Sequence, residues 1–276
     1  MYVDAYRSDC AFGAAHAEAL RSFKVLLVPG YFADLDPAYF ADQLGWLAAI
    51  GVEREKVAVK SREGVVTNAP IVAAAIRNSA KRVILITHSK GSVDALEALR
   101  AEPSLRTKVA GWLSLQGAFL GSPIADMLLD PSRLDPLLAT AILQLLGGTK
   151  QAAQGLTTQA SLTYYSSHTA EINKVIQDVP MVAFASAVDA SAGDQTQFAI
   201  PLQIMAGDGV RSDGLVPINS QILPGMNFVR ISGVDHIAPV MPALQPLDRV
   251  RMAKALLIAL GGPFAVLRND AACTSR

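Results

Sequence analysis

Ile84-Leu85-Ile86-Thr87-His88-Ser89-Lys90-Gly91-Ser92 carries an apolar run straight into a serine flanked by small and tight-turn residues. A short apolar run ended by a turn reads as a buried strand, and the residues from Gly91 to Arg100 read as a helix. A serine hydroxyl is a poor nucleophile until a base takes its proton. A sharp strand-to-helix turn lifts its Oγ above the sheet, where a histidine from elsewhere in the chain can reach it. Ser89 is therefore the candidate nucleophile at the tip of an elbow. The usual elbow pattern is G-x-S-x-G; here Thr87 replaces the first glycine and Gly91 keeps the second. A slightly wider elbow is expected, because glycine two residues before the serine lets strand and helix approach closely.

Upstream, Val25-Leu26-Leu27-Val28-Pro29-Gly30-Tyr31-Phe32 is a second buried run ending in a glycine turn, which suits a loop that binds developing negative charge. Two fixed backbone N–H groups aimed at a carbonyl oxygen stabilise such charge by a few kcal/mol each. The two donors expected are the amides of Lys90, which follows the nucleophile at a helix N-terminus, and of Tyr31, just after Gly30. An acid and a base should follow in the order Ser, Asp or Glu, His. Of four histidines, His16 precedes the elbow, His88 adjoins the nucleophile and points elsewhere on the turn, and His168 falls in a helical insertion. His236 remains, in a loop between the Phe228–Ile231 run and the last long helix. For the acid, Asp189, Asp208, Asp213 and Asp235 all lie within reach in sequence. Asp213 is preferred, because Gly214 allows a tight turn and Leu215-Val216-Pro217 can anchor the loop; Asp208, between two glycines, is the rival.

Short apolar runs alternate with helical patterns from residue 24 onward, which marks an α/β fold with a mainly parallel central sheet flanked by helices. Seven strands are expected, at Val25–Val28, Val57–Val59, Val83–Thr87, Trp112–Leu115, Val182–Ala185, Leu202–Met205 and Phe228–Ile231. Helices are expected at Pro70–Lys81, Gly91–Arg100 and Pro239–Leu260, and one opening at Asp36-Pro37 with Asp36 as N-cap. The stretch from about 122 to 178 breaks the strand rhythm, with Asp130-Pro131 and Asp135-Pro136 as further helix starts. Leu137–Leu146 is apolar nearly all round, so it is expected to be buried core or a helical cap over a greasy cleft. The 276 residues fit one domain of this class, and no repeat or linker divides them.

Composition narrows the function. With 24 Lys+Arg against 24 Asp+Glu the formal net charge is zero, so no electrostatic footprint points to nucleic acid or an anionic membrane. At 51% hydrophobic and 17% charged, the chain expects a large core and leaves room for contact with a lipid interface. No stretch is long and apolar enough to span a membrane. MYVDAYRSDC lacks the basic and apolar regions of a signal peptide, so the chain as written is expected in the cytoplasm, or secreted if a signal preceded it. Cys10 and Cys273 allow one staple at most, two free thiols being the commoner outcome.

Together these segments resemble the α/β-hydrolase superfamily, and within it the bacterial true-lipase branch. Val28-Pro29-Gly30-Tyr31-Phe32 is similar to that family's H-G-φ oxyanion loop with Pro29 for His. Gln116-Gly117-Ala118-Phe119-Leu120-Gly121-Ser122 resembles its G-A-P-H-x-G-S stretch, and Ser212-Asp213-Gly214-Leu215-Val216-Pro217 its acid-bearing loop. The T-H-S-K-G elbow resembles a group of esterases from environmental bacteria that carry C-H-S-K-G, with Thr87 where they have Cys. The resemblance implies hydrolysis of short- to medium-chain carboxylic esters through an acyl-enzyme on a Ser89–Asp213–His236 triad, with no cofactor. It also brings in view a calcium ion near the acid and base; Asp208 and Asp235 are available, but no full oxygen-ligand set can be read, so no metal is expected. A lipase or polyester depolymerase working on an insoluble substrate is the alternative, and a non-catalytic binding protein on a hydrolase fold the remote one. A small-molecule ester is the expected partner.

Overall fold

Residues 2–7, 12–31, 33, 36–130 and 153–264 of the computed structural model are described. Among them lie six strands: β1 (Lys24–Val28), β2 (Glu53–Lys56), β3 (Val83–His88), β4 (Val109–Leu115), β5 (Met181–Ala187) and β6 (Asn227–Ser232). They form one sheet in the order β2-β1-β3-β4-β5-β6, every pair parallel. Parallel neighbours need crossovers, and the crossover helices cover both faces, so the inner strands must be apolar on both sides. Every residue of β3, β4 and β5 is buried. The strand period of two then divides the core. Leu26, Val28, Val83 and Leu85 face the helices Val65–Asn78, Lys90–Ala101 and Thr169–Asp178, while Val25, Leu27, Ile84 and Ile86 face Tyr2–Arg7, Ala41–Ala49 and Arg249–Leu260.

The expected strands at Val25–Val28, Val83–Thr87, Trp112–Leu115, Val182–Ala185 and Phe228–Ile231 all fall within observed ones. Two do not. Val57 and Val59 are buried but lie past the strand, which is the charged segment Glu53–Lys56 pairing only with β1. A sheet edge is half solvated and does not need an apolar sequence. Leu202–Met205 belongs to a helix, Ala199–Gly207. There Phe198, Leu202 and Met205 are buried and Ile200 is exposed, the i, i+4, i+7 spacing of a helix face.

Helix boundaries move for local reasons. Asp36-Pro37 opens a turn, not a helix: Asp36 Oδ1 accepts the N–H of Ala38 at 2.7 Å, and the helix begins at Ala41. The helix expected from Pro70 starts at Val65 and holds Pro70 inside it. The last helix begins at Arg249, capped by Asp248, because Pro239, Pro242 and Pro246 interrupt the segment before it. The expected helix at Leu137–Leu146, the Asp130-Pro131 and Asp135-Pro136 starts beyond residue 130, and both cysteines lie outside the described residues. Of the segment between β4 and β5, the helix Pro123–Leu129 and Leu156 border the cleft described below, whereas Thr169–Asp178 packs on the sheet-side helix Lys90–Ala101.

Candidate active site

The site sits beyond the carboxyl ends of the strands, where a parallel sheet leaves a crevice. Ser89 joins β3 to the helix Lys90–Ala101 at φ 53°, ψ −128°, backbone angles that a non-glycine residue holds only when its surroundings impose them. Two glycines permit the turn. A Cβ on Gly91 would sit 2.6 Å from the carbonyl oxygen of Pro29, so the helix start crosses the end of β1 at backbone contact. A Cβ on Gly30 would lie 2.9 Å from the Cβ of Ser89 and 3.3 Å from the Lys90 nitrogen, which brings the loop carrying Tyr31 against the elbow. Thr87 is accommodated by hydrogen bonding: its hydroxyl lies 2.7 Å from Ser92 Oγ in the helix's first turn and accepts from Trp112 Nε1 at 2.8 Å. Where glycine would give close approach, the threonine binds strand to helix.

From Ser89 a line of hydrogen bonds leads outward. His236 Nε2 is 2.9 Å from Ser89 Oγ, and His236 Nδ1 is 2.8 Å from Asp213 Oδ2. All three side chains are buried. The Asp213 loop is pinned just past β5, the N–H of Val188 donating to the Ser212 carbonyl at 2.9 Å and Ser212 bridging to Pro217. Its carboxylate accepts the N–H groups of Leu215 and Val216 on Oδ1, and Gln221 Nε2 on Oδ2 at 3.1 Å beside the imidazole. Gln221 was not among the candidates. A glutamine in a polar stretch carries no sign that its amide will face a carboxylate eight residues back.

The rival carboxylates go elsewhere. Asp208 is exposed at the end of the helix Ala199–Gly207, and Asp189 is exposed and binds Ser191. Asp235 is buried, which raises its carboxyl above the usual range, and it accepts the N–H groups of Ile237 and Ala238 and the Thr196 hydroxyl. Its turn aims the neighbouring His236. Asp208 and Asp235 thus do not meet, and among the described residues no group of three His, Cys, Asp or Glu gathers that could hold a metal ion. His16 is buried near Gly13 and His168 caps a helix, both outside the site.

Tyr31 and Ser89 line one cleft, with Ile124, Ala125, Leu128, Leu156 and His236 among its walls. The lining is almost wholly apolar. Directly after Ser89 the Lys90 amide opens the helix, where the first N–H groups have no intrahelical partner and carry the positive end of the helix dipole. The Lys90 side chain turns away into the protein. Its ammonium pairs with Asp94 at 2.8 Å, both nearly inaccessible, and stands 5.8 Å from the centroid of the Tyr31 ring. Burial pushes the Asp94 carboxyl up to about 6 against the pull of Lys90. Removing one member of such a pair leaves a buried charge unpaired. Asp94→Ala is expected to lose about 3–5 kcal/mol of stability, and Lys90→Met with Asp94→Leu to recover most of it. Urea unfolding of the single and double variants measures both.

The architecture is shared with solved hydrolases. A metagenomic carboxyl esterase superposes with a TM-score of 0.69 at 24% identity, over 87% of this chain and 76% of its own. The mature form of a Bacillus licheniformis lipase gives 0.65 at 18% identity, over 78% of this chain and 85% of its own. Phospholipase PlaB from Legionella pneumophila gives 0.56 at 15% identity, over 86% of this chain and 58% of its own. No protein-family model matches the chain, and no curated protein matches it in sequence. With the parallel sheet and its flanking helices, these likenesses identify the fold as that of the α/β-hydrolases.

Proposed function

We propose that the chain is a serine carboxylesterase working through an acyl-enzyme, with Ser89 as nucleophile, His236 as general base and acid, and Asp213 as the group that orients the imidazole. The observation that carries this reading is the unbroken line Asp213–His236–Ser89, at 2.8 and 2.9 Å, ending in an apolar cleft. As Ser89 Oγ attacks the ester carbonyl, its proton passes to His236 Nε2, and Asp213 stabilises the imidazolium through Nδ1–H. The carbonyl oxygen takes the negative charge and is bound by the Tyr31 and Lys90 amides. Collapse returns the proton to the leaving alkoxide and leaves Ser89 acylated. Water then enters, gives its proton to His236 and attacks the acyl carbonyl; the proton returns to Ser89 Oγ and the acid departs. The reading calls for no cofactor.

Hydrolysis of p-nitrophenyl esters from C2 to C12, with mass spectrometry after fluorophosphonate treatment, tests the proposal. It predicts turnover of the shorter esters and one label. A chain that hydrolyses none and takes no label refutes it. A lipase acting at an interface is the second reading, favoured by Ile200 and Leu244, 51% and 59% exposed, next to Phe198 and Ala243 of the apolar cluster around the cleft. A rate that jumps once tributyrin forms droplets marks that reading.

The whole chain is proposed as one domain; of the helical cap expected at residues 122–178, the helix Pro123–Leu129 and Leu156 are proposed to cover the cleft, whereas Thr169–Asp178 belongs to the layer on the sheet. Supporting this, Ile124, Ala125, Leu128 and Leu156 border the cleft. Filling that wall should therefore shorten the acyl chain accepted. Each methylene seated in an apolar pocket contributes roughly 0.8 kcal/mol, so Ala125→Phe is expected to cut kcat/KM for octanoate at least about tenfold more than for acetate. Equal losses for both esters would move the acyl pocket elsewhere.

A further inference from the structure

We propose that Tyr39 and His88 act as a positioning pair that fixes the Tyr31 loop, the elbow and the His236 loop relative to one another, with His88 held as the neutral Nε2–H tautomer. The proposal rests on the esterase reading above and assigns these residues no contact with substrate. Both are fully buried. The N–H of Gly30 donates to Tyr39 Oη at 3.0 Å, and Tyr39 Oη lies 2.5 Å from His88 Nδ1. On the far side of the ring, His88 Nε2 lies 2.7 Å from the carbonyl oxygen of His236 and 3.2 Å from Gln116 Oε1.

The protons can be placed from these partners. Gln116 Nε2 donates to Ser186 Oγ and to the Asp235 carbonyl, which fixes its amide so that Oε1 faces His88. Nε2 of His88 therefore meets two acceptors and must carry the hydrogen. Nδ1 is left with a lone pair, which the Tyr39 hydroxyl satisfies while its oxygen accepts from Gly30. The other tautomer would set a bare nitrogen against two oxygens. Burial and the neighbouring His236, whose ring centroid is 4.8 Å away, also push the His88 imidazole well below its ordinary range, which disfavours the doubly protonated ring.

One imidazole thus joins three loops. Gly30 precedes Tyr31, His88 precedes Ser89, and the bond to His236 takes its carbonyl and leaves its ring free to move the proton. Oxyanion donors act only when held at a fixed place, and a misplacement of about 1 Å far from the reacting atoms can cost about 10²-fold in rate. Cutting the chain at Tyr39 should lower kcat and spare substrate binding, because the acyl cleft lies on other residues.

The test combines kinetics on p-nitrophenyl butyrate with long-range ¹H–¹⁵N NMR of the histidines, the His88 signal being identified by its loss in His88→Gln. The wild type should show His88 as the neutral Nε2–H tautomer at pH 7. Tyr39→Phe, compared at matched folded fraction, should lower kcat by about 10- to 100-fold with KM within about threefold, and shift the Nδ1 resonance. His88→Gln keeps one acceptor and one donor, and should retain more kcat than His88→Leu. A doubly protonated or Nδ1–H ring in the wild type overturns the proposal, as does a Tyr39→Phe kcat within twofold of the parent. If Tyr39→Phe does not fold, the wild-type tautomer and the two His88 variants decide. A wild type inactive on every ester refutes the esterase reading whatever the tautomer; an active wild type with an indifferent Tyr39→Phe refutes only this inference.

Discussion

Ser89→Ala should lower kcat by about 10⁵- to 10⁶-fold while leaving the protein folded, the loss found when the nucleophile of a triad is deleted. Among the described residues its Oγ has one side-chain partner, His236 Nε2. Removing it leaves the backbone bonds of the elbow in place, including Ser89 N–H to the Leu115 carbonyl at 3.0 Å. Circular dichroism and a thermal melt should therefore overlay the parent. The parent's fluorophosphonate adduct should map to the peptide containing Ser89 and vanish in the variant. A label on any other serine would move the nucleophile.

Asp213→Asn is expected to cost about 10⁴-fold in kcat near neutral pH. The Asp213 carboxylate accepts on both oxygens: Leu215 and Val216 amides on one, His236 and Gln221 on the other. An asparagine must turn its NH₂ toward one of these donor pairs. Facing His236 it forces the imidazole proton onto Nε2, where Ser89 then has no acceptor; facing the turn it opposes two backbone N–H groups. Stability will fall as well, so rates belong at matched folded fraction. Asp208→Asn, at an exposed helix end, should stay within about twofold, since surface substitutions away from such contacts do little. If Asp208→Asn shows the large loss and Asp213→Asn does not, the acid is Asp208.

Much of this arrangement was legible in the sequence because it depends on local rules. The elbow is spelled out by an apolar run, a serine and a glycine within nine residues, and the strands with apolar residues on both faces announce themselves. His236 follows by elimination and chain order. What stayed hidden has two causes. Leu202–Met205 is apolar at every position but Gln203, so neither period can be read from four residues; only burial at Phe198, Leu202 and Met205 shows the helix. Glu53–Lys56 is hidden for the opposite reason, an edge strand of charged residues that an apolar criterion passes over. The other cause is distance. Tyr39, Gln116, Ser186 and Gln221 each find their partner through the fold, and no spacing links Tyr39 to a histidine 49 residues on.

The strand order has a consequence for how the chain is made. After the β1–β2 pair, the sheet grows outward in the order of synthesis: β3 adds beside β1, then β4, β5 and β6 each at the edge left open by the one before. Until β6 arrives, the open edge on that side belongs in the end to β4 and then β5, strands whose every side chain is apolar or small and whose backbone N–H and C=O groups seek a partner. Such edges invite pairing with another nascent chain. The last strand is different, with Asn227, Arg230 and Ser232 turned to solvent. It closes the sheet with a rim that is polar apart from the exposed Phe228. A polypeptide released before Asn227 would expose the β5 edge and lack His236 as well, so the same short segment that supplies the proposed base also ends the interval in which the growing chain is prone to aggregate.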